Sequence, residues 1–305
     1  MKTTSYLAVF SLLSLSACGP AEAPFDPVAY EAEIHEWRAE RLERLRGPTG
    51  YLNLAGLYWL EEGVTSIGSS DDNDIVFPAV AAAVVGSLSV DSAGVYLEVA
   101  DGIEVTTEGQ AVTSLLLADD TTGAPVTVAH ESLAWMIIKR DERFALRLRD
   151  FEHPAIAAFP PIEYFPIDPE LRVAATFEQF AEPKIVNVET VIEGLGWHPE
   201  SPGFVKFELD GQPMQLEAYA SGENLFFVFG DRSSGRETYP AGRFLYAKAV
   251  SDGEVTWLDF NRAYNPPCAF NDFSTCPVAS PQNRLPIVIA AGEKYDPTVH
   301  AIPDT

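Results

Sequence analysis

Between Arg46 and Lys139 the chain has no lysine or arginine, while 13 acidic residues lie between Glu61 and Glu131. Over the whole sequence 20 Lys+Arg face 45 Asp+Glu, a net charge of −25. Without residues 1–17, which hold one lysine, 19 − 45 leaves −26. Nucleic-acid binding needs a basic surface, so that class is excluded, and an anionic lipid surface would repel this half of the chain. A solvated acidic face is the expected reading, and a cationic ligand is the alternative. Histidine is absent between His198 and His300, and there is no Gly-x-Ser-x-Gly, His-Glu-x-x-His, Walker-type loop or dinucleotide fingerprint. No cofactor is therefore expected. Ser233-Ser234-Gly235 could hold a nucleophile only if His130, His153 or His198 reached it from elsewhere.

Long apolar runs are also missing, apart from a short one near the start. Tyr6 to Leu15 is apolar, follows the single Lys2, and ends in Leu15-Ser16-Ala17-Cys18. Such a segment is too short to span a bilayer and reads as a secretory signal over residues 1–17. Leu-Ser-Ala-Cys resembles a bacterial lipobox. The resemblance implies cleavage before Cys18, a diacylglyceryl thioether on it, and a further acyl chain such as palmitate on the new N-terminus. The implied partner is a lipid bilayer. Gly19 after the cysteine, by resemblance to Gram-negative lipoproteins, suggests an outer-membrane address facing the periplasm. Residues 18–27 then form a Pro-rich tether that reaches about 30 Å at most. Of the three cysteines, lipidation uses one. Cys268 and Cys276 remain as an even pair in an exported protein, for which a disulfide is the default. A metal clip is the alternative, and it lacks further His or Cys ligands nearby.

The expected fold is mainly β. Tyr30, Ile34, Trp37, Arg41, Leu42 and Leu45 recur at helical spacing, and Gly47-Pro48 stops the pattern, giving a helix over 28–46. Its apolar side is expected on the first β domain. From Leu52 to Asp150, short β-rich runs such as 84–90, 95–99, 126–128, 135–139 and 144–148 alternate with turn formers, so residues 28–150 form helix plus β domain. Residues 151–183 read as an ordered strap, because Pro154, Pro160, Pro161, Pro166 and Pro169 forbid a central strand. Residues 184–305 form a second antiparallel β domain. Asp210-Gly211 turns a hairpin there, and runs at 225–229, 244–249, 255–261 and 287–291 supply further strands.

The stretch from Ser66 to Pro78, including Gly68-Ser69-Ser70 and Asn73-Asp74-Ile75, resembles the opening of a forkhead-associated β-sandwich, a fold that reads phosphothreonine peptides. It departs from that pattern where the phosphate would bind. Ser69 stands in place of an arginine, and no histidine lies between Pro78 and Ala129. The likeness therefore implies the fold and not the phosphopeptide function. Two further blocks, Phe229-Gly230-Asp231-Arg232 through Arg243-Phe244-Leu245 and Asp259-Phe260-Asn261-Arg262-Ala263-Tyr264-Asn265-Pro266-Pro267-Cys268, carry a resemblance to the domain-of-unknown-function 1684 family. With Tyr51-Leu52 and Trp59-Leu60, the likeness runs from Trp37 to Glu293. It implies no particular reaction.

Candidate ligand-binding residues come from these blocks. Asp259 and Asn261 are expected on one face of a strand, with Asp231, Glu237 and Glu293 at or beyond strand ends. Arg232, Arg243, Arg262 and Arg284 are placed to pair with them, and Asn265 adds an amide. Such a set could bind a small polar ligand through arginine forks, or place two carboxylates for acid–base work. It could equally brace Pro-rich loops as a buried ion-pair network. The leading expectation is an envelope lipoprotein that binds a small polar ligand or partner on this surface. A hydrolase using its carboxylates and a structural envelope protein are the alternatives. For the anchor, Cys18→Ser should abolish fatty-acid labelling in growing cells; a variant that still labels would overturn the lipobox reading.

Overall fold

The computed structural model describes residues 25–298. The signal segment and Cys18 lie outside the described residues. Helix α1 (Pro27–Arg46) starts at Asp26, whose carboxylate accepts from the Val28 and Ala29 amides at 3.0 and 3.3 Å. That cap satisfies two otherwise orphaned N–H groups, and Pro27 at the first helical position needs none. No helix among the described residues is long and apolar enough to cross a membrane.

The first β domain contains β1 (Leu54–Leu60), β2 (Gly63–Gly68), β3 (Ile75–Val76), β4 (Gly86–Asp91), β5 (Gly94–Val99), β6 (Val105–Thr107), β7 (Gln110–Val112), β8 (Ser114–Leu116), β9 (Thr127–His130), β10 (Leu133–Arg140) and β11 (Arg143–Asp150). They form two sheets, ordered β1-β11-β10-β9-β6-β7 and β3-β2-β4-β5-β8. One apolar core, with Ile67, Leu88, Leu97, Trp135, Leu146 and Leu148, is drawn from both sheets. This is the expected sandwich. Strand alternation sends Leu146 and Leu148 into that core and turns Arg147 and Arg149 to the other face of β11.

The second domain comprises β12 (Arg172–Ile185), β13 (Val188–Glu189), β14 (Gly196–Trp197), β15 (Glu200–Leu209), β16 (Gln212–Ser221), β17 (Asn224–Phe229), β18 (Arg243–Lys248) and β19 (Val255–Asp259). Six of these form one antiparallel sheet, β18-β17-β16-β15-β12-β19, and β13 pairs with β14 as a side ribbon. All six strands contribute to a single core, including Phe177, Val205, Leu216, Phe227, Leu245 and Leu258. The sheet is curled enough that its two end strands meet, where Thr256 Oγ1 donates to the Lys248 carbonyl at 2.7 Å. Asp210 and Gly211, both at positive φ (53° and 68°), turn the β15–β16 hairpin as expected.

Four details differ from the sequence reading. The strap is shorter than 151–183, because Val173, Ala175 and Phe177 alternate inward and commit residues 172–183 to β12. Residues 287–291 form no strand. Their carbonyls are taken by the Arg232 amide and the Arg243 guanidinium, while Ile289 and Ala291 close the barrel core. The strand from Val255 stops at Asp259, whose carboxylate caps a 3-10 turn over Phe260–Arg262. Asp259 and Asn261 therefore do not share a strand face. Finally, α1 docks on the second domain and not on the first. Tyr30 binds Asp259, Arg41 binds Glu293, Trp37 lies against Tyr264 (ring centroids 6.5 Å), and Leu45 packs with Phe159, Ala269 and Phe270. Ile289→Ala should cost about 2–5 kcal/mol in urea unfolding, since it empties a fully buried site; a change near zero would show that this segment does not seal the core.

Candidate functional site

The residues singled out from sequence separate into three groups. The first is buried and paired. Arg243 and Asp231 meet at 2.8 Å with side chains 1% and 0% exposed. Arg243 also donates to the Ile289 carbonyl at 3.0 Å and to that of Ala291, and Asp231 accepts from the Ser233 amide at 2.6 Å. Glu293, fully buried, takes Arg41 Nε at 3.0 Å and the Asn265 amide at 2.7 Å. Asn265 Nδ2 donates to the Lys294 carbonyl at 2.7 Å, and the Asn265 carbonyl accepts from Arg41 Nη2 at 3.0 Å. Asn261 ties the strap to the barrel. Its Oδ1 accepts from the Asp168 amide at 2.9 Å, and its Nδ2 donates to the Asp168 carbonyl at 2.7 Å. These five side chains are struts and not an open surface.

The second group borders a groove. Asp259 accepts from Tyr30 Oη at 2.8 Å and from Arg262 Nε at 3.2 Å, and Arg262 continues to Glu33 on α1. With Arg172, Lys248 and Trp257 they line an open groove of about 910 Å³. Burial, then the neighbouring Asp259 charge, pushes the Tyr30 hydroxyl far above its ordinary range, so it stays a donor. The third group is exposed and apart: Arg232, Glu237 and Arg284 point to solvent. Ser233 is buried with its hydroxyl on Thr238 at 2.8 Å. His130 is used on both ring nitrogens, by the Ala82 amide and the Glu104 carbonyl. In the sandwich, Ser69 donates its hydroxyl to the Ala81 carbonyl at 2.8 Å. Cys268 and Cys276 form the expected disulfide, with Cα atoms 6.2 Å apart.

A cleft of about 490 Å³ opens where α1, the sandwich, the barrel and the disulfide loop meet. Its polar wall is cationic: Arg41 and Arg44 from α1, Arg140 from β10 and Arg147 from β11. The same cleft is lined by Phe226, Phe244, Tyr246 and Tyr264 from the second domain and by Trp37 of α1, with the Arg41 guanidinium over the Tyr264 ring at 4.5 Å. Three of the arginines have carboxylate partners: Arg41 with Glu293 (3.0 Å), Arg44 with Glu40 (3.1 Å) and Arg140 with Asp120 (2.7 Å). Arg147 has none among the described residues, and its Nε is buried without a hydrogen-bond acceptor. Burial, then the nearby Arg140 and Arg149 charges, bring its guanidinium down to about 10, still protonated at neutral pH. Tyr264 is held neutral, raised first by burial and then by Tyr246. Among the described residues no group of His, Cys, Asp and Glu could hold a metal ion. The cleft can instead accept an anion and cover an apolar body.

A family model described as "Protein of unknown function (DUF1684)" matches residues 157–294. An uncharacterized protein of Haloarcula marismortui, solved in solution, is 31% identical over 46% of this chain and 79% of its own, with a TM-score of 0.40. Residues 157–294 belong to the DUF1684 family. Other similar structures fall under a TM-score of 0.5. The FHA-2 domain of a Mycobacterium tuberculosis ABC transporter is 26% identical over 29% of this chain and 77% of that one, TM-score 0.22. The cytoplasmic domain of the type III secretion sorting-platform protein PscD from P. aeruginosa is 24% identical over 31% and 78%, TM-score 0.21. No curated protein matches.

The DUF1684 span is narrower than the likeness expected from Trp37 onward, and it divides the cleft. Phe226, Phe244, Tyr246 and Tyr264 lie inside it, whereas all four arginines lie outside it. Sequence reading missed those arginines as cleft residues, although Arg41 and Arg147 left a signal. Arg41 stood within the helical stripe of apolar positions, and Arg147 and Arg149 alternate with two core leucines on a strand whose second face is covered. Two substitutions separate strut from surface within the DUF1684 domain. Arg243→Ala should cost about 3–5 kcal/mol in denaturant unfolding, since it strands Asp231 in the interior, whereas exposed Arg284→Ala should stay within about 0.5 kcal/mol.

Proposed function

We propose that this DUF1684 protein is a membrane-tethered envelope lipoprotein that binds a small anionic ligand in the cleft between its two β domains. The observation that carries this reading is Arg147, a protonated guanidinium on a cleft with three other arginines. Its Nε is buried without an acceptor, and it makes no carboxylate ion pair among the described residues, although the Asp120 charge acts on it. Leaving such a charge uncompensated is costly, and a bound anion would relieve the cost. The setting favours an anion further. In a chain of net charge −25, a cleft lined by four arginines departs sharply from the mean field of the molecule.

The volume suits a small molecule and not a polymer, since ligand sites of this kind span about 300–1,000 Å³. The anchor at Cys18 is part of the proposal, supported by the lipobox-like sequence before it. The groove at Asp259 and Arg262 contributes in another way. Its carboxylate and guanidinium are engaged by Tyr30 and Glu33, which favours a role in seating α1.

Thermal unfolding with and without inorganic phosphate, sulfate and pyrophosphate tests the reading. At least one of these anions should raise Tm by several degrees at saturating concentration, as linkage requires of a ligand that binds only the native state. Arg147→Met should lose that shift while keeping a cooperative transition. No shift of the wild-type protein with any of the three, or an equal shift in Arg147→Met, would refute it.

A further inference from the structure

We infer that the ligand is an aromatic ring carrying a phosphate group, with the phosphate on the arginine wall and the ring on the tyrosine–phenylalanine wall. This rests on the anion-binding reading and deepens it. The cleft is two-sided in chemistry. An inorganic anion would use only the guanidinium side and leave the aromatic side wetted.

On the aromatic side, Phe226 and Phe244 belong to a buried apolar cluster, and Tyr246 stands at its exposed edge. Phe226 meets Phe244 and Tyr246 with ring centroids 5.0 and 4.9 Å apart, and Phe244 meets Tyr264 at 5.7 Å. Tyr246 stacks nearly parallel on Tyr264, 16° apart with ring centroids 6.4 Å apart, and the Arg41 guanidinium lies over Tyr264 at 4.5 Å, so Tyr246 is the ring that keeps a face open. Tyr246 remains 46% exposed, an unusual state for a ring embedded in such a cluster. Flat aromatic faces of this kind recognise planar rings, whose stacking geometry they match.

Phosphate fits the cationic wall better than carboxylate. One arginine satisfies a carboxylate with a single two-pronged fork. Here Arg147 has a buried Nε with no acceptor, and Arg44 of α1 and Arg140 of β10 line the same cleft with one carboxylate partner each, a set that suits a tetrahedral dianion with three acceptor oxygens. Thr275, from the disulfide loop, is within reach of the same wall, at 3.4 Å from Arg140 Nε.

Titration calorimetry of the full-length protein with phenyl phosphate, inorganic phosphate and benzoate tests the inference. Phenyl phosphate should bind about ten-fold more tightly than either of the others, in line with the worth of one aromatic contact plus buried ring area. Tyr246→Ala, at a half-exposed position that folding tolerates, should reduce the ratio of phenyl phosphate to phosphate affinity to near one and leave phosphate binding within about two-fold. Equal affinity of the wild type for phenyl phosphate and phosphate would overturn the ring while leaving the anion reading intact. Benzoate binding as tightly as phenyl phosphate would overturn the phosphate. Binding of none of the three would remove both this inference and the reading beneath it.

Discussion

The architecture turns on one charged contact, Arg41 of α1 against Glu293 near the end of the second domain. Glu293 is fully buried, and its two oxygens are divided between that guanidinium and the Asn265 amide. Neither charge could stay inside without the other, because desolvating an unpaired ion costs several kcal/mol. The same guanidinium lies over the Tyr264 ring at 4.5 Å and donates to the Asn265 carbonyl. Helix, Asn-Pro-Pro loop and C-terminal segment are thus held by a single side chain. A leucine at that position could have filled the space, but it could not have satisfied the Glu293 carboxylate and the Asn265 carbonyl.

From that contact the rest follows in order. With α1 fixed along the barrel, Tyr30 reaches Asp259, and Arg38 reaches the Phe165 carbonyl of the strap at 3.0 Å. Leu45 then seats among Phe159, Ala269 and Phe270. The sandwich is brought in at the far end of the helix, where Asn271 Nδ2 donates to the Tyr51 carbonyl at 2.9 Å and Arg149 binds Gly50 and Asn53. The cleft is what remains open at this three-way junction. Its cationic character reflects the junction itself, since both elements on that side present arginines there.

How much of this was legible in the sequence depended on range. Local patterns read well: the helix, the Asp210-Gly211 hairpin and the sandwich strands all follow from periodicity and turn chemistry within a few residues. Long-range partners did not. Nothing near Asp259 says that its hydroxyl donor is Tyr30, 229 residues away. The block from Asp259 to Glu293 is dense in polar residues because it docks a helix, and density alone does not distinguish a dock from a binding surface. Residues 287–291 show the same limit. Their apolar alternation is real, but their carbonyls go to Arg243, so the segment plugs a barrel end in place of joining a sheet.

Helix α1 also sets a length. Its first capped residue is Asp26, and Arg44 enters the cleft wall close to its other end. At 1.5 Å per residue those points are about 27 Å apart along a rigid rod. The helix is therefore a spacer as well as a clamp. Anything that contacts the chain at residue 26 is thereby kept about 27 Å from the arginine side of the cleft.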